Sequence, residues 1–274
     1  MVKKPKLVID SSRTNFSHYF SEIIKYRDLL ITLSVRDFKV RYAQTVLGFI
    51  WVLVQPLATL AVLILVFDKT LHINTFGVPY PLYAMAGMML WTYFGYVLNQ
   101  SGTSIVSSQS IISKVYFPRL VIPVSKALVG LIDFFVAFLI LTGMFVAYGY
   151  PVSMKVVFAP VFVLISMFAS LGAGILFSSF TVRYRDFQYV IPFVLQVGFY
   201  VTPIAYPTEF ISLKLKWLYF LNPMAGIIEG FRWCLFGSGS LDPFCYLSFM
   251  VTFLMFLVGI YTFISTESEM ADLV

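Results

Sequence analysis

Long apolar stretches, uncharged except for Lys126 and Asp133 in the third, alternate with short charged ones from residue 49 onward. They run Phe49–Phe67, Tyr80–Gln100, Pro123–Tyr148, Val156–Val182, Phe187–Thr208 and Pro243–Thr266. Each is close to or beyond the roughly 20 residues a helix needs to cross a bilayer core. Six transmembrane helices are therefore expected, in an all-α polytopic membrane protein. Between Lys69 and Lys114 the chain carries no formal charge, and Tyr80–Gln100 is the most apolar part of that interval.

Two regions break the pattern. Ahead of the first span, Ile31, Val35, Phe38 and Tyr42 recur at spacings of 4, 3 and 4, which places them on one stripe of a helix. Arg36, Lys39 and Arg41 lie around and away from it. The reading is an interfacial amphipathic helix on the inner leaflet, its cations turned to headgroups or to a partner. A plain surface anchor has the same pattern. The second region, 207–242, is apolar but broken. Asn222-Pro223 reads as a helix N-cap followed by proline at the first helical position, and Gly237 as its stop. Pro223–Phe236 has 14 residues, about 21 Å of helix, too short to cross. A second short helix, Glu209–Phe220, is expected before it. Together they make a re-entrant hairpin, a form tolerated at membrane depth only inside protein or beside a cavity. A surface hairpin packed on the spans is the other geometry. Glu229 and Arg232, three apart, are expected to pair.

Composition agrees with the spans. Of 274 residues 59% are hydrophobic and 12% charged, with a mean hydropathy of +0.87, which excludes a soluble enzyme and a disordered chain. The distribution of basic residues sets the orientation. Lys3, Lys4, Lys6, Arg13, Lys25, Arg27, Arg36, Lys39 and Arg41 precede the first span. With the N-terminus inside, Lys114, Arg119, Lys126, Arg183 and Arg185 are also cytoplasmic, fourteen in all. Only Lys69, Lys155, Lys214, Lys216 and Arg232 fall outside, so an N-inside topology is expected, with both termini cytoplasmic. The parts are then a cytoplasmic segment at 1–48, a transmembrane domain at 49–266 with the hairpin at about 207–242 on its outer side, and a tail at 267–274. The first 28 residues hold no apolar core of signal-peptide length, so the first span is expected to serve as the insertion signal.

The chemistry is sparse. No glycine is followed by lysine, so the phosphate-cradling G-x-x-x-x-G-K-[ST] loop is absent, as are H-E-x-x-H and G-x-S-x-G. His18 and His72 lie far apart with no cysteine nearby, which argues against zinc. Cys234 and Cys245 read as buried small hydrophobes, a disulfide between them being the alternative. Asp133 is the one acid deep inside an expected span. It needs a partner, and Lys126, two turns earlier, is the candidate. Ala169, Ser170, Ala173, Gly174 and Ser178 give small residues four apart, a spacing that lets helix backbones approach. Their expected use is packing within the chain. A membrane protein without a chemical engine of its own is a channel, an ion-coupled carrier, or the membrane half of an engine housed elsewhere.

Several segments carry a resemblance. Arg36-Asp37-Phe38-Lys39-Val40-Arg41-Tyr42, Thr45-Val46-Leu47-Gly48, Trp51 and Gln55-Pro56 are followed in order by Lys114-Val115-Tyr116-Phe117-Pro118-Arg119, Arg183-Tyr184-Arg185-Asp186, Leu221-Asn222-Pro223-Met224 with Arg232, and Glu269-Met270-Ala271-Asp272. The set resembles the permease subunits of type-2 ATP-binding-cassette exporters for O-antigen, teichoic acid and capsule polysaccharides. The resemblance implies a multi-pass protein of the bacterial cytoplasmic membrane, a homodimer bound to two copies of a separate ATPase subunit. That subunit would hold the ATP and Mg; no cofactor, metal or catalytic residue is expected on this chain, and no nucleic acid among its partners. The substrate would be a lipid-linked polysaccharide. The hairpin, with Asn222, Pro223, Glu229 and Arg232, would form an outer gate, and Arg36, Lys39, Arg41 and Tyr42 would belong to the helix at the inner surface.

A long hydrated polymer suits a continuous channel. Aromatic rings can guide sugars by their C–H faces without gripping one unit. Candidate lining residues are Phe49, Trp51, Tyr93, Phe94, Phe199 and Tyr200, with Gln55, Gln196 and Thr202 as polar contacts. Coupling to the ATPase subunit is expected at Lys114, Tyr116, Phe117, Pro118 and Arg119, and at Arg183, Arg185 and Asp186. Two alternatives stand beside this: a permease of the same superfamily for a drug or small lipid, and a membrane transferase acting on lipid-linked sugars, for which only Asp133 and Glu229 are available as acids.

Overall fold

A computed structural model describes residues 24–42, 50–237 and 239–267. Phe49, His18, the stretch Thr45–Gly48 and the Glu269–Asp272 segment lie outside them. The described residues are helical, with no strand among them. α1 is Arg27–Tyr42, with Asp28 in its first turn and Lys39 and Arg41 in its last, charges that complement the helix dipole. α2, Ile50–Leu63, continues as a π-helix over Ile64–Thr70. α3 is Tyr80–Gly102 and α4 is Val121–Tyr148, the latter closed by Gly149 in the left-handed conformation (φ 60°). A 3₁₀ turn at Met154–Phe158 leads into α5, Ala159–Arg183. Then come α6, Phe187–Val201; α7, Leu213–Tyr219; α8, Pro223–Phe236; and α9, Cys245–Glu267.

Four helical stretches are both long and apolar enough to cross a membrane: Ile50–Thr70, Val121–Tyr148, Met154–Arg183 and Cys245–Glu267. The other two expected spans are helices of a different kind. α3 has the length but a less apolar composition, and from Leu82 to Trp91 every residue is buried by protein. Its interior partners are α4 and α5, which keep Tyr83 and Tyr93 buried in protein. α6 has only 15 residues and is interrupted by Pro192; it ends at Val201, short of the expected Thr208, because Thr202 turns extended and Pro203 follows.

α5 is the hub. One side packs on α9, where a Cβ on Gly172 would lie 2.8 Å from the Phe256 backbone and one on Gly259 2.5 Å from the Gly172 carbonyl oxygen. The other side meets α3, where a Cβ on Gly174 would lie 2.6 Å from that of Ser101. Ala169, Ser170, Ala173 and Ser178 are buried with them, so the small-residue pattern serves packing within the chain. Cys234 and Cys245 are buried free thiols, as the simpler reading had it.

The short helices after α6 depart from expectation in part. The first, α7, starts at Leu213 rather than Glu209; Thr208–Phe210 forms a separate 3₁₀ turn. The second has the foreseen limits. Asn222 caps it by accepting from the Met224 N–H (3.0 Å), Pro223 opens it, and Gly237 ends it at φ 72°. α8 is packed among α3, α5 and α9, with eleven of its fourteen residues buried. Gly230 gives way to the Phe162 ring, and Gly226 to Ser248. It is an internal strut, whereas α7 has no buried residue.

α2 and α6 are the weakly held elements. Of the α2 span window, 11% is buried, and in α6 only Ile191 is buried. Both flank α3.

Candidate functional site: an inner latch, a polar stripe and an outer strut

One cluster joins α1 to α4. Ser34 Oγ donates to the Ser125 carbonyl (3.4 Å), Lys126 Nζ lies 2.5 Å from Asp37, and Arg41 Nη1 lies 2.6 Å from Asp133. These pairs advance in the same direction along both helices, so α1 runs beside α4. Asp133 therefore takes Arg41, not Lys126, as its ion partner, and the Tyr42 hydroxyl also donates to it. Lys126 is drawn off by Asp37, which binds Arg36 as well (2.7 Å). The Arg41 guanidinium sits 4.4 Å from the Tyr96 ring centre. Spacing along α4 could not reveal this, because the competing partners lie on another helix. Of the cations expected to face headgroups, Arg36 and Arg41 are engaged by acids while still partly exposed and Lys39 is exposed, and Ile31 and Val35 are exposed as well.

The expected channel residues divide into two sets. Trp51 and Gln55 on α2, and Gln196 and Tyr200 on α6, are exposed, with Phe199 half-buried. Tyr93, Phe94 and Thr202 are instead enclosed in the chain's own core. The Tyr93 hydroxyl donates to the Ala127 carbonyl (3.3 Å), Phe94 packs on Trp91, and Thr202 Oγ1 accepts from Asn222 Nδ2 (2.8 Å). Aromatic identity alone did not separate the two groups; the helical phase of α3 does. Beyond Trp91, α3 leaves one side open: Thr92, Gly95, Tyr96, Asn99 and Gln100. Their spacing of three and four makes one polar stripe. On the α2 side Thr92 and Tyr96 share a small cleft of about 80 Å³ with Gln55, Thr59, Arg41 and Asp133. On the α6 side the helices close up, with Gly95 against Leu195 and Gly198 against Trp91. Four polar or phenolic residues recurring in an apolar segment were the legible signal for this stripe.

At the opposite end of α3, Arg232 is buried and holds the hairpin. Its Nε and Nη2 donate to the Tyr83 carbonyl (3.2 and 3.0 Å), Nη2 to that of Ile204 (2.7 Å) and Nη1 to that of Pro203 (2.5 Å). The guanidinium lies 3.6 Å from the Tyr83 ring centre. Arg232 thus ties α8 to α3 and to the turn after α6, and makes no salt bridge with Glu229. The expected pair fails because three backbone carbonyls occupy the donor fork. Glu229 Oε2 is buried without a hydrogen-bond partner. Burial, reinforced by Glu209 and Asp242 and only partly opposed by Arg232 and Lys216, pushes its carboxyl up to about 7.

Of the expected coupling residues, Lys114 and Tyr116 are exposed, whereas Phe117 and Pro118 are buried as the root of their loop. Arg119 is held to the end of α9: its N–H donates to Glu267 Oε1 (3.1 Å) and its guanidinium to the Glu267 carbonyl. Arg183, Arg185 and Asp186 are exposed at the α5–α6 turn. Among the described residues, no cluster of three or more His, Cys, Asp or Glu side chains could hold a metal ion.

Comparison with known proteins adds the following. The ABC-2 type transporter family matches residues 28–236. The O-antigen export system permease protein RfbA of Klebsiella pneumoniae is 27% identical over 249 residues, spanning 90% of this chain and 95% of that protein. Its namesake in Myxococcus xanthus is 29% identical over 218 residues, 77% and 81% of the two chains. The polysialic acid transport protein KpsM of Escherichia coli is 21% identical over 204 residues, 72% and 77%.

Proposed function

The chain belongs to the ABC-2 type transporter family, and we propose that it is the membrane subunit of an ATP-driven exporter of a lipid-linked polysaccharide in the bacterial cytoplasmic membrane. The relatives named for O-antigen export and polysialic acid transport support the class of cargo. In this reading two copies associate, each with a nucleotide-hydrolysing subunit that carries ATP and Mg. The chain crosses six times, α3 and α6 completing the four apolar spans, with both termini inside and α7–α8 re-entering from the outer side.

The observation that carries the reading is the polar stripe of α3. A helix buried among protein along its outer half carries exposed Thr92 and Gln100 and half-buried Tyr96 and Asn99 along its inner half, between two helices that have little protein around them. In lipid such a row leaves amide and hydroxyl groups without partners, at a cost of about 1–3 kcal/mol for each group. Facing the same row on a second copy, it lines a wet path instead. Trp51, Gln55, Gln196, Phe199 and Tyr200 then border the path, and the rings meet the C–H faces of passing sugars. Arg119, anchored to the end of α9, and the exposed Lys114, Tyr116, Arg183, Arg185 and Asp186 offer the surface on which the ATPase subunit pushes.

Deleting the gene tests this function. Surface glycan is lost and lipid-linked polymer accumulates in the cytoplasm. Unchanged surface glycan without the chain, with no polymer inside, refutes the assignment.

A further inference from the structure

The outer end of the molecule holds a cavity of about 520 Å³, well within the roughly 300–1,000 Å³ range of small-molecule sites. It lies within a single copy, between the α2–α3 connection, α7, α8 and the α8–α9 connection. Tyr83, Trp233, Phe236 and Phe244 supply apolar wall, and Glu209, Glu229, Lys216 and Asp242 its charged groups. Lys216 and Asp242 are paired across the rim. Arg232 is consumed by three carbonyls. Glu229 is what remains: a carboxyl on a rigid helix, lining the cavity, with one oxygen sealed from solvent and bonded to nothing.

We propose that this cavity is a saccharide site, taking a short, uncharged, hydroxyl-rich segment with Glu229 as its principal hydrogen-bond acceptor. The sealed Oε2 is out of a ligand's reach, so the contact falls to the part of the Glu229 side chain that lines the cavity. A sugar hydroxyl supplies the donor, and the aromatic walls suit the ring's C–H faces. The charges argue for a neutral ligand. With the Glu229 carboxyl protonated, Lys216 and Arg232 offset Asp242 and Glu209, and the charged groups of the lining sum to zero. The donor set does not suit a metal ion. The site rests on the export reading only for the source of its sugar, which would be the polymer leaving the outer mouth; binding itself requires neither transport nor the ATPase.

The test uses the purified full chain in lipid nanodiscs, without any partner. Saturation-transfer NMR is recorded with maltose and, separately, with putrescine. The expected result is transfer to maltose protons, reduced at least fivefold in Glu229→Gln, which keeps the shape but puts an amide donor where a carboxyl oxygen stood. Trp233→Phe retains folding and lowers transfer to the ring protons. Size-exclusion profiles and thermal transitions matching those of the unaltered chain establish that both variants are folded. Absence of transfer to maltose overturns the proposal, as does transfer that Glu229→Gln leaves unchanged, or binding of putrescine in preference to the sugar. None of these outcomes bears on the gene-deletion experiment, so failure of the site and failure of the export reading are distinguishable.

Discussion

Replacing Arg232 with methionine should loosen the whole outer end of the protein. The side chain is 3% exposed and donates four hydrogen bonds to three carbonyls on two separate elements. Hydrogen bonds to a charged group contribute about 1.5–3 kcal/mol each. They do not add fully, and the cation no longer has to be stripped of water in the variant. A net loss of about 3–5 kcal/mol results, the range seen when a buried charge network loses one member. At about 2–4 °C per kcal/mol for a chain of comparable size, the thermal transition in detergent falls by about 6–20 °C. Arg232→Lys keeps the charge but has a single nitrogen for three carbonyls, and should recover less than half of the loss. Gly87→Ala provides an independent check, because its new methyl would lie 2.6 Å from Arg232 Nη2 and push the guanidinium off its acceptors. A fall of less than about 2 °C in Arg232→Met would show that α8 is held by packing alone.

Three further outcomes follow from the same geometry. Glu229 should make stability depend on pH: a carboxyl held up at about 7 by burial favours the folded state in its protonated form, so the contribution is present below about 4.5 and lost as pH rises through 7, about 3 kcal/mol in all. Thermal scans from pH 5 to 8 should decline in the unaltered chain, and Glu229→Gln should flatten them; parallel curves would contradict this. Asp133→Ala removes the ion partner of Arg41 and a hydrogen-bond acceptor of Tyr42, weakening α1 docking by about 1.5–3 kcal/mol, so trypsin should cut at Lys39 or Arg41 roughly ten times faster or more, and unchanged cleavage would count against the latch. Gly259→Ala drives a methyl to 2.5 Å from the Gly172 carbonyl oxygen, a backbone atom that cannot swing away, and should cost about 1–3 kcal/mol; Gly143→Ala, with open space around it, should cost nothing in the same assay.

Local signals carried well from sequence to structure. Asn222, Pro223 and Gly237 bound α8 as their chemistry dictates, since capping, fixed φ and left-handed φ are decided within a few residues. The small residues of α5 pointed to close helix approach for an equally local reason. The failures at the candidate sites were questions of partnership. Lys126 and Asp133 share a face of α4, yet each found a better partner on α1. Glu229 and Arg232 share a face of α8, yet backbone carbonyls at 83, 203 and 204 took the guanidinium. Tyr93 and Phe94 carry the chemistry of a sugar path but the helical phase of a core. Which side of α3 lay open depended on α4 and α5, whose docking no single-helix pattern contains.

The central claim is that sugar passes along the open side of α3. A photo-activatable side chain at Asn99, in cells with the partner ATPase active, probes it directly; the exposed Phe135 of α4 is the comparison position. Illumination should attach glycan to the chain through position 99 and not through position 135. Glycan at neither position, or equally at both, would contradict the proposed path.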